Sequence, residues 1–274
     1  MKELFGFSSA LRMLSIFPCF GEDCSNLGRV LGWAPAVGAV ISILCTTIAM
    51  WSTRFIDDTT VAMFLGAMLA AVMYLGLEVF LSRGFHLDGL ADSFDGWGGG
   101  WTKERTLEIM RDSHIGSFGT LAIAVVLMVK LVALCALCFY QTYQWLVMIP
   151  VFSRLLMVYQ AAFNGYARAD SGSLAGNVVT SASGRHFAGA VLSSMIVVLP
   201  MVIVPTVMYS TGMFVVQTLV IFAAGLFAAM IISYVSNKRI GGVTGDVLGA
   251  TVEICEAVMM WSAALMILHR VYDR

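Results

Sequence analysis

Seven apolar stretches dominate this chain, at about residues 33–52, 60–81, 117–139, 145–163, 187–209, 213–235 and 250–268. Each approaches the roughly 20 residues that a helix needs to cross the hydrocarbon core of a bilayer. Lipid offers no partner to a free backbone N–H or C=O, so a spanning segment closes its hydrogen bonds within a helix or around a barrel. These runs are continuously apolar rather than alternating, which predicts helices. The expected fold is all-α, a polytopic transmembrane bundle of about seven spans, forming one integral membrane domain over residues 1–274. Only 12% of the residues are charged and 59% are hydrophobic, whereas soluble domains carry roughly 25% charged residues. With a net charge of −1, no nucleic-acid partner is expected. The lipid bilayer is.

At the N-terminus, MKELFGFSSALRMLSIFPCFG is interrupted by Glu3 and Arg12 and offers no small-residue cleavage site, so it does not read as a cleaved signal peptide. An amphipathic interfacial segment is expected instead, with Leu4, Phe5, Leu11, Leu14 and Phe17 turned toward lipid or protein. Of the cysteines at 19, 24, 45, 135, 138 and 255, only Cys135 and Cys138 form a CxxC, with no second pair or polar His pair to complete a metal site. They are expected to be small buried apolar residues.

Long polar loops remain at 82–116, 164–186 and 236–249. With a cytoplasmic N-terminus they share one face with Lys2, Arg12, Arg29, Arg83, Lys103, Arg105, Arg111, Arg168, Arg185, Lys238 and Arg239. Arg54, Arg270 and Arg274 fall on the other side. Cytoplasmic loops carry the excess of Lys and Arg, so the loops are assigned to the cytoplasmic side of an inner membrane.

The first polar loop contains HLDGLADSFDG, residues 86–96. In a helix, Asp88, Asp92 and Asp95 stand at i, i+4 and i+7 on one face. Like charges stacked in this way repel unless a cation sits among them; without one, the face is a solvated acidic loop. Hard oxygen donors suit Mg²⁺ or Mn²⁺, and Mg²⁺ commonly combines a few carboxylates with substrate phosphates. Next comes ERTLEIMRDSHIGSFG, residues 104–119, in which Arg105, Arg111 and His114 can face a phosphate. Cations opposite a metal cluster fit phosphoryl transfer, although a juxtamembrane basic loop reads the same way. Leu107, Ile109 and Met110 predict a short re-entrant or surface helix.

Ionisable residues inside spans are costly and draw attention as functional candidates: Glu78, Lys130, Arg154, Glu253 and Glu256. Lys130 needs a carboxylate or carbonyl partner, Arg154 can line a cytoplasmic cavity, and Glu78 can reach the interface. The last loop, KRIGGVTGDVLGATVEICE at residues 238–256, puts Asp246, Glu253 and Glu256 on about one face. This makes a second carboxylate cluster, and with it a two-metal or metal-plus-base site, conceivable.

Together, HLDGLADSFDG, LEIMRDSHIGSFG and GGVTGDVLGATVEICE, with the ALRMLSIFP start, Ser153–Arg154 and Tyr166–Arg168, resemble the cobalamin synthase (adenosylcobinamide-GDP ribazoletransferase) family over most of the chain. The resemblance implies a membrane enzyme that joins α-ribazole, or its 5′-phosphate, to adenosylcobinamide-GDP with release of GMP, using Mg²⁺. The family's aspartate motif falls on Asp88, Asp92 and Asp95, and its TGD motif on Thr244, Gly245 and Asp246. The expected metal ligands are then Asp88, Asp92, Asp95 and Asp246, with Asp95 or Asp246 as base and His86 as an orienting group. Arg105, Arg111, Asp112, Arg154, Arg168, Thr244 and Gly245 are the expected substrate-binding residues. His114 stands where the family often has Arg.

Two other readings compete. Membrane phosphotransferases that cleave a CDP-alcohol also use helical aspartates, but this chain lacks their further aspartates and the Arg after DG-x-x-A, and it carries TGD. A transporter using Glu78, Lys130, Arg154 and Glu253 as an ion path lacks the repeated halves expected of that class.

Overall fold

The structure, a computed structural model, describes residues 2–19, 27–54, 59–168, 174–209 and 212–272. Eleven helices follow one another among these residues: α1 (Lys2–Leu14), α2 (Leu27–Thr53), α3 (Thr60–Leu81), α4 (Phe85–Gly99), α5 (Lys103–Ile109) and α6 (Ser117–Phe139). They continue with α7 (Tyr143–Phe163), α8 (Leu174–Ser181), α9 (Gly184–Tyr209), α10 (Met213–Ile240) and α11 (Gly245–Tyr272). Seven of them, α2, α3, α6, α7, α9, α10 and α11, are long and apolar enough to cross a membrane. The protein is thus an all-α integral membrane protein with the expected number of spans.

Several spans run past their apolar windows, because a helix continues as long as its backbone ladder has a partner. α10 carries on through Lys238 and Arg239 and stops where Gly241 takes φ 75°, a left-handed turn that a side chain would strain. α11 begins five residues before its apolar window, where the Thr244 hydroxyl accepts the Val247 amide as a cap.

Burial separates the inner helices from the outer ones. The span of α7 is 83% buried, against 17% for α9, whose Leu192, Ile196 and Ile203 face outward. Pro150 lies inside α7 and has no N–H for the Leu146 carbonyl one turn earlier. The Tyr74 hydroxyl of α3 donates to that oxygen at 2.6 Å, filling the gap that lipid cannot. Opposite the same turn, a Cβ on Gly38 of α2 would meet the Pro150 carbonyl oxygen at 2.8 Å.

α1 lays Leu11 and Leu14 into the core, and Phe7 meets Trp33 edge-on at 5.6 Å. Of the expected apolar face of this segment, Leu11, Leu14 and Phe17 therefore turn to protein; the side chains of Leu4 and Phe5 lie outside the described residues. The Ile16 amide donates to the Leu81 carbonyl, and Arg83 donates to the carbonyls of Arg12 and Ser15, tying α1 to the end of α3. Cys45, Cys138 and Cys255 are buried free thiols and Cys135 is half-buried, as expected of apolar cysteines; Cys24 lies outside the described residues.

Candidate active site

α4 is a short helix packed against α6 and α11. His86, Leu90 and Ser93 occupy its buried inner face. Asp88 is exposed and Asp92 half-buried on another face. Where α4 crosses α11, a Cβ on Gly89 would stand 2.7 Å from the Asp246 carbonyl oxygen, and one on Gly249 3.1 Å from that of His86. The two glycines let the backbones touch, and this contact brings Asp246 beside the α4 aspartates.

A second local pairing delivers Arg168. Tyr166 and Val243 form an isolated parallel bridge, with the Val243 amide donating to Gly165 at 2.8 Å and the Ala167 amide to Val243 at 2.9 Å. The Arg168 guanidinium then donates to Asp246 Oδ2 at 2.9 Å, and the Thr244 hydroxyl to the same oxygen at 3.1 Å. The YAR and TGD segments, about 80 residues apart in sequence, make one constellation. Among the described residues, Nε of Arg168 is buried with no protein partner.

Burial, followed by the charges of Asp246, Asp88 and Asp95, pushes the Asp92 carboxyl up to about 7, and Arg168 only partly opposes this. The site is therefore short of positive charge. Its donors are hard oxygens, which fit Mg²⁺. Among the described residues, no three carboxylate, imidazole or thiol side chains converge tightly enough to hold a bare ion.

Asp95 is set apart from its two neighbours. Its Oδ2 accepts the Gly116 amide at 2.7 Å and its Oδ1 the Gly119 amide at 2.9 Å, so it caps the first turn of α6. A side chain on either glycine would collide with this carboxylate. The glycines of HIGSFG are the sequence signal for this cap.

The remaining expected site residues lie at varied distances from this centre. His86 is 1% exposed and its Nδ1 has no partner among the described residues. Burial lowers it to about 3, with Arg154 adding to the effect; the imidazole is neutral and turned to the interior. Arg105 and Glu108 pair at 2.8 Å on exposed α5. Asp112 accepts from His114 through both the ring and the backbone amide, which holds its carboxyl below the usual range, and both side chains are exposed. Arg111 is exposed, and the Met110 carbonyl beside it accepts from Arg168 at 3.5 Å.

Arg154 is not brought to the aspartates. It is 3% exposed and pairs with Glu256, which is also bound by Ser153 at 2.9 Å. Lys130 Nζ stands 2.6 Å from Glu256, 3.0 Å from Glu78 and 3.1 Å from Glu253. Glu78 lies within ion-pair range of Lys130 but is not aligned for a hydrogen bond. This buried cluster joins α3, α6, α7 and α11. It corrects the expectation that Glu253 and Glu256 extend the Asp246 cluster toward a second metal, because lysine and arginine already occupy those carboxylates. Glu78, 4% exposed, is enclosed rather than reaching the interface.

Comparison with known proteins gives one consistent result. The profile of the family described as Cobalamin-5-phosphate synthase matches residues 6–264. The chain is 37% identical over 261 residues to the adenosylcobinamide-GDP ribazoletransferase of Chlorobium phaeovibrioides, spanning 95% of this chain and 97% of that protein. It is 34% identical to the protein of the same name from Chlorobaculum tepidum, over 96% of each chain. A third, from Syntrophobacter fumaroxidans, is 38% identical over 73% of this chain and 75% of its own. No solved structure matches the chain significantly.

Proposed function

The chain belongs to the cobalamin-5-phosphate synthase family, and from that premise we propose that it joins α-ribazole, or α-ribazole 5′-phosphate, to adenosylcobinamide-GDP and releases GMP. This is the last step of cobalamin nucleotide-loop assembly. The single observation that carries the site assignment is the meeting of Asp88, Asp92 and Asp246 with Arg168 at the α4–α11 crossing. The surplus of Lys and Arg on the loop side supports a site facing the cytoplasm from an inner membrane.

In this reaction a ribose hydroxyl of ribazole attacks the phosphorus that carries the cobinamide. A P–O bond forms there, the P–O bond to GMP breaks, and the hydroxyl proton goes to a base. Asp246 is the base, because Thr244 and Arg168 hold it in place, whereas both oxygens of Asp95 are taken by backbone amides. Asp88 and Asp92 would hold Mg²⁺, and the chemistry it would supply there is neutralisation of pyrophosphate charge. Arg168 contributes a fixed donor to a phosphate oxygen while orienting Asp246. Arg105 and Arg111 supply cations at the rim for the same phosphates.

Purified protein in lipid, given adenosylcobinamide-GDP, α-ribazole and Mg²⁺, is expected to release GMP and form the joined corrinoid. Asp92→Ala is expected to lose this activity. Normal turnover by Asp92→Ala would overturn the site assignment, and corrinoid transport without GMP would favour a transporter.

A further inference from the structure

A cavity of about 180 Å³ opens beside Asp88 and Asp246 on the α1–α2 side of α4. Leu14, Leu31, Met157 and Val178, from α1, α2, α7 and α8, form much of its wall. Among the described residues, and apart from Asp88 and Asp246, no lining side chain carries a hydrogen-bonding group other than the methionine sulfurs. A pocket that is oily within and acidic at one edge discriminates between the parts of the two reactants.

We propose that this cavity is the base subsite for α-ribazole; the assignment rests on the ribazoletransferase reading above. Guanine is excluded by chemistry, since its amide and amine edges would lie unpaired against aliphatic walls. The corrin ring is excluded by size. Ribazole is the riboside of a dimethylated benzimidazole, an almost wholly apolar fused ring. An apolar cavity of roughly 150 Å³ accepts a benzene ring, so this one seats the dimethylated six-membered half of the fused ring and leaves the rest at its open mouth. A base seated among Leu31, Met157 and Val178 leaves its ribose at the mouth. There Asp246 meets the attacking hydroxyl, and the GDP-linked corrinoid approaches from the Arg168 side. The residues that select the base are then Leu14, Leu31, Met157 and Val178, none of which the reaction chemistry requires.

Val178→Trp, on the short helix α8, puts an indole into the cavity from a wall residue outside the aspartate constellation. In steady-state GMP release it is expected to raise KM for α-ribazole by about tenfold or more, leaving KM for adenosylcobinamide-GDP within about twofold. Leu31→Ala enlarges the cavity and is expected to shift preference toward a riboside with a third fused ring. Free 5,6-dimethylbenzimidazole should inhibit the wild type competitively against α-ribazole, and less so Val178→Trp. If both KM values move together or neither moves, and Leu31→Ala keeps the wild-type base preference, the subsite is refuted. If Val178→Trp does not fold, base preference in Leu31→Ala and the competition experiment on wild type decide. Failure of the wild type to release GMP would instead overturn the reaction itself.

Discussion

Replacing Asp95 by Asn separates a structural aspartate from a catalytic one. The carboxylate accepts two amide hydrogens, from Gly116 at 2.7 Å and Gly119 at 2.9 Å. Asparagine keeps one acceptor oxygen and turns an NH₂ group toward the other amide, so one charge-assisted bond is lost and a backbone N–H at the start of α6 is left facing a donor. A hydrogen bond to a charged group is worth about 1.5–3 kcal/mol, so Asp95→Asn should destabilise the fold by about that much. Asp95→Ala, which loses both bonds, should cost more. Unfolding in lipid nanodiscs measures the loss, and GMP release measured well below the melting temperature measures function. Asp95→Asn is expected to unfold earlier yet retain turnover within about tenfold, whereas Asp92→Asn should fall by about 10³ if it holds the metal charge. If Asp95→Asn were as stable as wild type but as inactive as Asp92→Asn, the capping assignment would be wrong and Asp95 would belong among the metal ligands or bases.

Three further perturbations follow from the same geometry. Lys130→Met leaves Glu78, Glu253 and Glu256 with only Arg154 in the interior, and should cost about 3–5 kcal/mol in unfolding experiments; adding Glu253→Gln should recover part of that loss. Gly89→Ala forces a methyl group to within 2.7 Å of the Asp246 carbonyl oxygen, and should reduce GMP release more than tenfold at unchanged expression by parting α4 from α11. Burial and the neighbouring carboxylates push the Asp92 carboxyl up to about 7, so its anionic form is lost as pH falls through about 7. Mg²⁺-dependent thermal stabilisation should then be weaker at pH 6 than at pH 8. The sign for the metal-free protein is opposite: a raised carboxyl makes its contribution to stability fully below about pH 4 and loses it as pH rises to about 7.

The spans were legible because hydropathy and helix length are local properties: any apolar run of about 20 residues in lipid must close its own backbone bonds. The spacing of Asp88 and Asp92 was legible for the same reason, since 3.6 residues per turn puts i and i+4 on one face. The same rule grouped Asp95 with them, because periodicity says where a carboxylate points but not what meets it. Only the packing of α6 against α4 put two amides there. Arg154 and Glu256 show the same limit. Their cost inside a span was evident from sequence, but the choice between substrate cavity and mutual pairing depended on partners more than 100 residues away. The sequence alone therefore determined a seven-span helical bundle with its polar chemistry gathered in three loops. The tertiary structure decided which charges face each other, because ion pairs, caps and close glycine crossings are made between helices whose relative placement no local pattern encodes.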